Sequence, residues 1–253
     1  CPKYIRRNSR VMLLGLIALL WAGIAALVQY TAQSLNLIPI ETAQFLIPFA
    51  LVPLLTTILI GGRAGLAAGM WTSLVIALYW DRSLSVFITG MVATTVASHS
   101  TRRVRTRTKV VKLSLVVGLA QIICLLGVTL LDWDSPDVMC VVHRATASLV
   151  GGLLSAVIAL LILPLFESVF AITTDITLLE FSDLGHPLLQ RLALEAPGTY
   201  HHSLVVANLA QAAAEAIEAN SLEARVCSYF HDIGKLTKPN FFAENIHMQQ
   251  NPH

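Results

Sequence analysis

The first 170 residues of the chain alternate between long apolar stretches and short polar segments. Six stretches have, or nearly have, the roughly 20 residues that an α-helix needs to cross a bilayer. Backbone amides cannot stay unpaired in lipid, so these stretches must be helical. The pattern predicts a bundle of six membrane-spanning helices, of which the fourth is the shortest. The predicted spans are residues 11–30, 43–60, 64–80, 84–98, 110–131 and 145–166.

Composition supports a membrane location for this region. The chain is 55% hydrophobic and 13% charged, whereas soluble domains carry about 25% charged residues. Helices that are apolar on all sides also occur in the cores of large soluble proteins. Six of them within 170 residues, however, leave too little polar chain to cover them. The deficit of charge ends near residue 170, where we expect a soluble α-helical region to begin.

Basic residues cluster in alternate loops and predict the orientation of the bundle. Cytoplasmic loops of membrane proteins are enriched in Lys and Arg. The loop at 132–144 instead carries three Asp and a single Arg, so both termini are predicted to be cytoplasmic. The cluster at 102–109 is also compatible with a patch for anionic lipid or nucleic acid, but an inside loop explains it better, and no nucleic-acid partner is predicted. The basic clusters are Lys3, Arg6, Arg7 and Arg10, then Arg102, Arg103, Arg105, Arg107 and Lys109.

The predicted spans lack charged residues in their central parts, which bears on the class of protein. Ion-coupled transporters usually place ionisable residues within the membrane. Here the nearest candidates, His99, Lys112 and Glu167, lie at the ends of spans. A transporter is therefore an alternative without positive support.

The polar region after residue 170 predicts several shorter helices. Pro164 is expected to kink or end the last span. Short helices are expected near 176–181 and 187–195, and Pro197-Gly198 is expected to break the chain. A long helix should then start at Thr199 or Tyr200 and run to about Ala219.

The long helix carries an apolar stripe that predicts which of its faces is buried. The stripe follows the helical period and includes a histidine, His202, whose burial would require a hydrogen bond or a metal. A second helix is expected from about Leu222 to His231, with Ser221 as N-cap and Gly234 as a left-handed C-terminal cap. The inward residues of the first helix are predicted to be His202, Val205, Val206, Leu209, Ala213 and Ala216, and those of the second Leu222, Val226, Phe230 and Ile233.

His202, His231 and Asp232 are the candidate metal ligands. Neutral imidazole and carboxylate together suit Fe, Mn or Zn better than Ca. Lys235 follows the His-Asp pair, and two interpretations of it stay open. It could contact a phosphate group as a point charge, or it could be a solvated lysine near the end of a helix.

The motifs around the membrane exit resemble the junction between membrane and HD domain in the seven-transmembrane HD-domain receptors. The resemblance is loose over the six spans and close over residues 163–253. Its motifs are Phe166-Glu167-Ser168-Val169-Phe170, Thr173-Thr174-Asp175, Leu178-Leu179-Glu180, His186-Pro187-Leu188-Leu189, Glu195-Ala196-Pro197-Gly198-Thr199-Tyr200-His201-His202-Ser203, Arg225-Val226, Tyr229-Phe230-His231-Asp232-Ile233-Gly234-Lys235, Glu244-Asn245 and Asn251-Pro252-His253.

This resemblance implies an activity and a role for each candidate residue. Characterised members of the family are membrane phosphodiesterases that hydrolyse cyclic di-AMP to the linear dinucleotide with two metal ions. By the resemblance, His202, His231 and Asp232 bind two divalent transition metal ions, Mn or Fe, and Asp232 bridges them. The family's remaining ligands correspond to positions beyond 253. His201 is expected to be structural, and His186 to belong to the connector.

The resemblance also implies a domain organisation and a location. Residues 1–170 would form the six-span transmembrane region, 171–196 a connector, and 197–253 a partial HD domain on the cytosolic side of a bacterial cytoplasmic membrane. An earlier span and an extracytoplasmic domain would precede them. The chain is thus expected to be a fragment truncated at both ends and inactive by itself. Its expected partners are the lipid bilayer, the cyclic dinucleotide and, as a further candidate, a second copy of the chain.

Two other classes of function stay open at this point. A receptor or scaffold whose HD region does not catalyse would carry the same motifs up to residue 253. The transporter is the second alternative, and the uncharged spans argue against it.

Overall fold

The structure of the protein, a computed structural model, describes residues 2–34, 39–80, 83–101, 104, 106–131 and 137–246. Every regular element among these residues is helical, which confirms the all-α prediction. Arg102, Arg103, Arg105 and the motif Asn251-Pro252-His253 lie outside the described residues. The α-helices are α1 Pro2–Ser34, α2 Ile40–Leu46, α3 Leu51–Leu59, α4 Gly62–Tyr79, α5 Leu84–Thr101, α6 Arg107–Leu131, α7 Val138–Phe170, α8 Asp175–Phe181, α9 Pro187–Glu195, α10 Pro197–Ala216 and α11 Ser221–Phe230.

The chain divides into two compact units, Cys1–Ile172 and Thr173–His253. The first, called the membrane unit below, contains α1–α7. The second, called the HD unit, contains α8–α11 and three 3₁₀ turns. These turns are Ile233–Thr237, Pro239–Phe241 and Ala243–Asn245.

Four helical stretches of the membrane unit are long and apolar enough to cross a bilayer. They are Ser9–Ser34, Ile40–Leu59, Arg107–Leu130 and Val138–Phe170. The polytopic apolar bundle is thus confirmed. Helices α4 and α5, of 18 residues each, are not among the four, so the count of six spans stays a prediction.

The second predicted span, 43–60, is wrong as a single helix, because the chain breaks between α2 and α3. Pro48 cannot donate a backbone hydrogen bond, and its ring disfavours helical geometry in the preceding residue. Ile47 accordingly has φ −59° and ψ 132°. In this stretch 83% of the most apolar window is buried, against 22–39% in the other three. The break is therefore surrounded by protein, where non-helical backbone is tolerated within a membrane.

Two glycines of α4 bring it close to two neighbouring helices. A Cβ at Gly65 would overlap the side chain of Thr57 on α3, and one at Gly69 would overlap Thr94 on α5. Small residues permit such approach between membrane helices. The two glycines of the Gly65-x-x-x-Gly69 pattern therefore pack against two different helices, Gly65 against α3 and Gly69 against α5.

The last apolar helix continues past its proline. Pro164 lies inside α7, which ends only at Phe170, with Ala171 in the left-handed region at φ 49°. The expectation that the helix could end at Pro164 is wrong. The four residues from Ala171 to Thr174 then separate α7 from α8.

The short helices of the HD unit agree with the sequence prediction, and the start of its long helix does not. Helices α8 and α9 lie at Asp175–Phe181 and Pro187–Glu195. Helix α10 starts at Pro197, where a break was predicted, because proline is well suited to the first position of a helix. It ends at Ala216 rather than Ala219.

The prediction of the buried face of α10 is wrong, because the buried positions lie about one residue after the predicted ones. The buried residues are Thr199, Ser203, Ala207 and Ala214. Small side chains form this face, and the helix packs with it against α11. The predicted inward residues are exposed except for Val206, which is half-buried; the exposed ones are His202, Val205, Leu209, Ala213 and Ala216.

Helix α11 keeps the predicted position but not the predicted caps. Asn220, not Ser221, is the N-cap, and its side chain accepts a hydrogen bond from the Glu223 amide at 3.2 Å. Gly234 lies in a 3₁₀ turn, and Gly61 is the only described glycine with positive φ. Val226 is buried as predicted, and Tyr229, at 2% exposure, joins the core with Leu189 and Ala207.

Candidate metal centre

The structure brings together the three predicted metal ligands. His202 lies in the second turn of α10, and His231 and Asp232 directly follow the last residue of α11. One potential ligand atom of each residue lies within 4.8 Å of those of the other two. The two imidazole rings have centroids 5.5 Å apart. His202 and His231 are exposed and Asp232 is half-buried, so the cluster opens to solvent.

The ring orientation of His231 is fixed by the main chain. Its Nδ1 lies 2.7 Å from the carbonyl oxygen of Ser228. A carbonyl can only accept, so Nδ1 carries the proton and Nε2 keeps its lone pair in the neutral ring. Metal-binding histidines commonly have their second nitrogen hydrogen-bonded to a carbonyl in this way. Nε2 lies 3.4 Å from Oδ2 of Asp232.

Lys235 is held between two carboxylates. Its ammonium nitrogen lies 2.8 Å from Oδ2 of Asp232 and 2.7 Å from Oε1 of Glu244. The hydrogen bond that Lys235 donates to Asp232, followed by the one that it donates to Glu244, raises the pKa of Lys235. The hydrogen bond from Lys235 lowers the pKa of Glu244. Lys235 also lies over the ring of Phe242, with its nitrogen 4.8 Å from the centroid.

Glu244 and Asn245 connect this ion pair to the start of α10. Thr199 donates its hydroxyl to Oε1 of Glu244 at 3.1 Å and its backbone amide to Oδ1 of Asn245 at 3.0 Å. Asn245 in turn donates from Nδ2 to the Thr199 hydroxyl at 2.9 Å. The side chain of Asn245 thus satisfies a backbone donor in the first turn of α10, a group that a helix leaves unpaired.

Gly198 is required by this connection. A Cβ at residue 198 would overlap the backbone carbonyl of Glu244. The close approach of the two main chains lets Asn245 reach the amide of Thr199, three residues before His202. The segment 239–245 thereby holds the end of α10 that carries the first histidine.

Sequence reasoning identified the cluster and missed its supporting residues. Glu244 and Asn245 lie in the motifs that resemble the family, and Thr199 lies at the predicted start of the long helix, but none of these positions predicts a contact with the others. Their contacts span 45 and 46 residues, a separation that helical periodicity cannot reveal. The acidic Glu244 after the basic Lys235 was the one available signal.

Two other histidines of the HD unit, among its described residues, lie outside the cluster. His201 is next to His202 on α10 and is exposed, but it is not part of the group of ligand atoms. His186 caps α9, its Nδ1 accepting a hydrogen bond from the Leu188 amide at 3.3 Å.

The donor set fits a divalent transition metal. Two imidazoles and a carboxylate are ligands that Mn, Fe and Zn accept. Nε2 of His231 lies 3.4 Å from a carboxylate oxygen of Asp232, and a ring nitrogen of His202 lies within 4.8 Å of both ligand atoms. No other group of three His, Cys, Asp or Glu residues with this proximity occurs among the described residues.

Two protein-family models match separate parts of the chain. The model of the family described as 7TM receptor with intracellular HD hydrolase matches residues 1–174. The chain belongs to this family. The HD domain model matches residues 199–253, a range that includes all three candidate ligands. HD domains are metal-dependent, and the 7TM match and apolar helices establish a membrane protein.

Three curated proteins are similar to parts of the chain. It is 39% identical over 147 residues to cyclic-di-AMP phosphodiesterase PgpH of Bacillus subtilis (strain 168), covering 58% of this chain and 21% of that protein. It is 32% identical over 218 residues to the protein of the same name from Listeria monocytogenes, covering 85% and 30%. An uncharacterized protein of Synechocystis sp. is 32% identical over 191 residues, covering 74% and 22%.

The chain spans less than a third of the length of each of these relatives. No solved structure matches it.

Proposed function

We propose that the intact protein is a membrane-anchored, metal-dependent phosphodiesterase that hydrolyses a cyclic dinucleotide, cyclic di-AMP. The observation that carries this proposal is the convergence of His202, His231 and Asp232 within a segment that matches the HD domain. Two relatives are named cyclic-di-AMP phosphodiesterases, which supports the choice of substrate.

The three clustered residues are proposed to bind two divalent ions, Mn or Fe, with Asp232 as the bridging carboxylate. Such ions supply activation of a water nucleophile and neutralisation of phosphate charge. His231 would bind through Nε2, since Nδ1 is engaged by Ser228. The Ser228 carbonyl would orient the ring toward the metal.

Lys235 is proposed to contact a phosphate oxygen of the substrate. Its ammonium group already touches Asp232, so a phosphate at the cluster would lie near it. Glu244 holds the ammonium from the other side. The hydrogen bonds of Lys235 keep it charged, because they raise its pKa.

The membrane unit is proposed to cross a bacterial cytoplasmic membrane six times, with both ends of the chain cytoplasmic. Helices α4 and α5 have 18 residues each, about 27 Å at 1.5 Å per residue, close to the roughly 30 Å of the hydrocarbon core. The alternation of basic and acidic loops favours this topology. Residues 1–170 would then be transmembrane, 171–196 the connector and 197–253 part of a cytosolic HD domain.

The activity is tested by incubating the purified full-length protein with Mn²⁺ and cyclic di-AMP. The linear dinucleotide is the expected product, separated by chromatography. His231→Ala and His202→Ala are expected to lower turnover by at least about a hundredfold, the upper end for lost supporting contacts of metal sites.

His201→Ala is the matched control, because this exposed neighbour lies outside the cluster. It should keep wild-type turnover. Absence of turnover with Mn²⁺, Fe²⁺ and Zn²⁺ in the wild-type protein would contradict the proposal and leave a non-catalytic receptor as the better account.

A further inference from the structure

Three aromatic rings join the ends of three helices beside the metal cluster. Phe181 is the last residue of α8, His186 is the N-cap of α9, and Phe230 is the last residue of α11. The ring of His186 meets Phe230 edge to face, with centroids 5.3 Å apart and planes at 88°. Phe181 lies 6.4 Å from Phe230 at 82° and 6.0 Å from His186 at 57°. We call these three residues the aromatic clamp.

The position of the aromatic clamp relates it to the ligands. Phe230 is covalently followed by His231 and Asp232, so its placement sets where these two side chains leave the helix. After Phe230 the regular α-helix stops, and the next turns are 3₁₀. The end of α11 therefore has no further helical turn to fix it. Phe230 packs against the core of Leu189, Ala207 and Tyr229, and the clamp adds ring contacts from Phe181 and His186.

Burial of apolar surface alone does not explain how the rings of the clamp are arranged. Phe181 remains 42% exposed, so removal of apolar surface from water explains only part of its placement. Edge-to-face aromatic pairs add about 0.5–1.5 kcal/mol beyond burial. Two of the three pairs have this geometry, and both include Phe230.

We propose that Phe181 and His186 are positioning residues for the metal cluster and act on it through Phe230. The proposal rests on the proposed function, in that the cluster must bind metal. Helix α8 begins five residues after the membrane helix α7 ends. Displacement of α8 relative to α11 would move Phe181 away from Phe230 and loosen His231 and Asp232. The connector would thereby regulate metal affinity.

His186 has two separable roles that make the proposal testable. Its Nδ1 accepts the Leu188 amide as the N-cap of α9, and its ring packs on Phe230. His186→Asn keeps a good capping side chain and loses the ring. His186→Phe keeps a ring of similar placement and loses the cap. Phe181→Ala removes the other partner of Phe230.

The experiment measures Mn²⁺ binding to the purified full-length protein by electron paramagnetic resonance of free Mn²⁺, together with the thermal midpoint of each variant. His186→Asn and Phe181→Ala are expected to weaken Mn²⁺ binding about tenfold, the lower end for lost supporting contacts of metal sites. His186→Phe should bind within about twofold of wild type. Leu184→Ala, in the same connector and 41% exposed in the wild type, is the control and should bind as wild type.

The outcomes separate this proposal from the function on which it rests. Wild-type affinity in both His186→Asn and Phe181→Ala would overturn the role of the clamp while the metal site stands. If His186→Phe binds Mn²⁺ as weakly as His186→Asn does, the effect comes from the loss of the cap, and the role of the clamp is overturned. The role of the clamp is also overturned if the loss of Mn²⁺ affinity follows the loss of thermal stability across all variants. If the wild-type protein binds no Mn²⁺, the proposed function itself fails.

Discussion

The two units of the molecule use their polar side chains differently. In the membrane unit, many hydroxyl groups of the described residues bond to the backbone of their own helix, as Thr56 does to Val52 at 2.6 Å and Ser155 to Gly151 at 2.8 Å. In the HD unit such local bonds occur as well, as from Ser228 to Ala224 at 2.8 Å, but several polar side chains also join segments far apart in sequence, as Asn245 does with Thr199. Contacts between helices of the membrane unit also occur, such as the ion pair of Arg144 with Glu41.

The difference follows from the surroundings of each unit. In lipid no water is available to hydrogen-bond a polar side chain. A hydrogen bond within the same helix satisfies the side chain independently of the neighbouring helices. In a domain surrounded by water, the same groups can instead form hydrogen bonds between distant segments and so stabilise the contact of those segments. Long-range polar contacts therefore hold the site of the HD unit, whereas close packing of small and apolar residues makes the larger part of the contact between helices of the membrane unit.

Among the substitutions that test the difference between the two units, Gly198→Ala is expected to have the largest effect on stability. The added Cβ would overlap the backbone of Glu244, and overpacking against main chain costs about 1–3 kcal/mol. We expect faster amide hydrogen exchange in the first turns of α10 of the full-length protein. Gly15→Ala, where nothing lies within 4 Å of the new atom, should leave exchange in α1 unchanged or slower.

Wild-type exchange in α10 of the Gly198→Ala protein would contradict the close approach of the segment 239–245 to this helix.

A smaller effect is expected from Asn245→Ala. It leaves the buried amide of Thr199 without its acceptor, which costs about 1–2 kcal/mol. Thr56→Val in the membrane unit removes a hydrogen bond within one helix and is expected to cost about 0.6 kcal/mol or less. Thermal midpoints of the two purified proteins measure the contrast. An equal or larger loss for Thr56→Val would break the distinction between the units.

The smallest effect is expected from Glu244→Gln, which weakens the pair with Lys235. Both side chains are partly exposed, at 35% and 21%, so the pair contributes less than about 1 kcal/mol. The pKa of Glu244 is lowered in the folded protein. Its contribution is therefore fully present above its ordinary pKa and is lost as the pH falls through the lowered value.

The pKa of Lys235 is raised, so its contribution is lost only as the pH rises through that raised value. Thermal midpoints of wild type and Glu244→Gln should thus differ at pH 7 and converge in acid. A difference that grows on acidification would contradict this assignment.

The sequence was sufficient to predict the all-α class, the apolar helices, α8, α9 and the cluster of His202, His231 and Asp232. Each depends on local pattern or on a motif of known chemistry. The buried face of α10 was not predictable in this way, because the apolar Val205 and Leu209 suggested one face and the small Ser203 and Ala207 form the packed one. His202 therefore joins the cluster through proximity, not through burial.

Other features depend on contacts that no periodic pattern carries. The meeting of Asn245 with Thr199 and the packing of His186 on Phe230 join segments separated by about 45 residues. Pro48 itself indicates a break in the helix, but the apolar residues on both sides of it indicate one continuous span.

The most direct test of the account is the position of a metal in the intact protein. Crystals grown with Mn²⁺ and measured at the manganese absorption edge would locate the ion by anomalous scattering. The account predicts density within coordination distance of a ring nitrogen of His202, Nε2 of His231 and a carboxylate oxygen of Asp232. Density bound by other residues, with these three side chains apart, would contradict it.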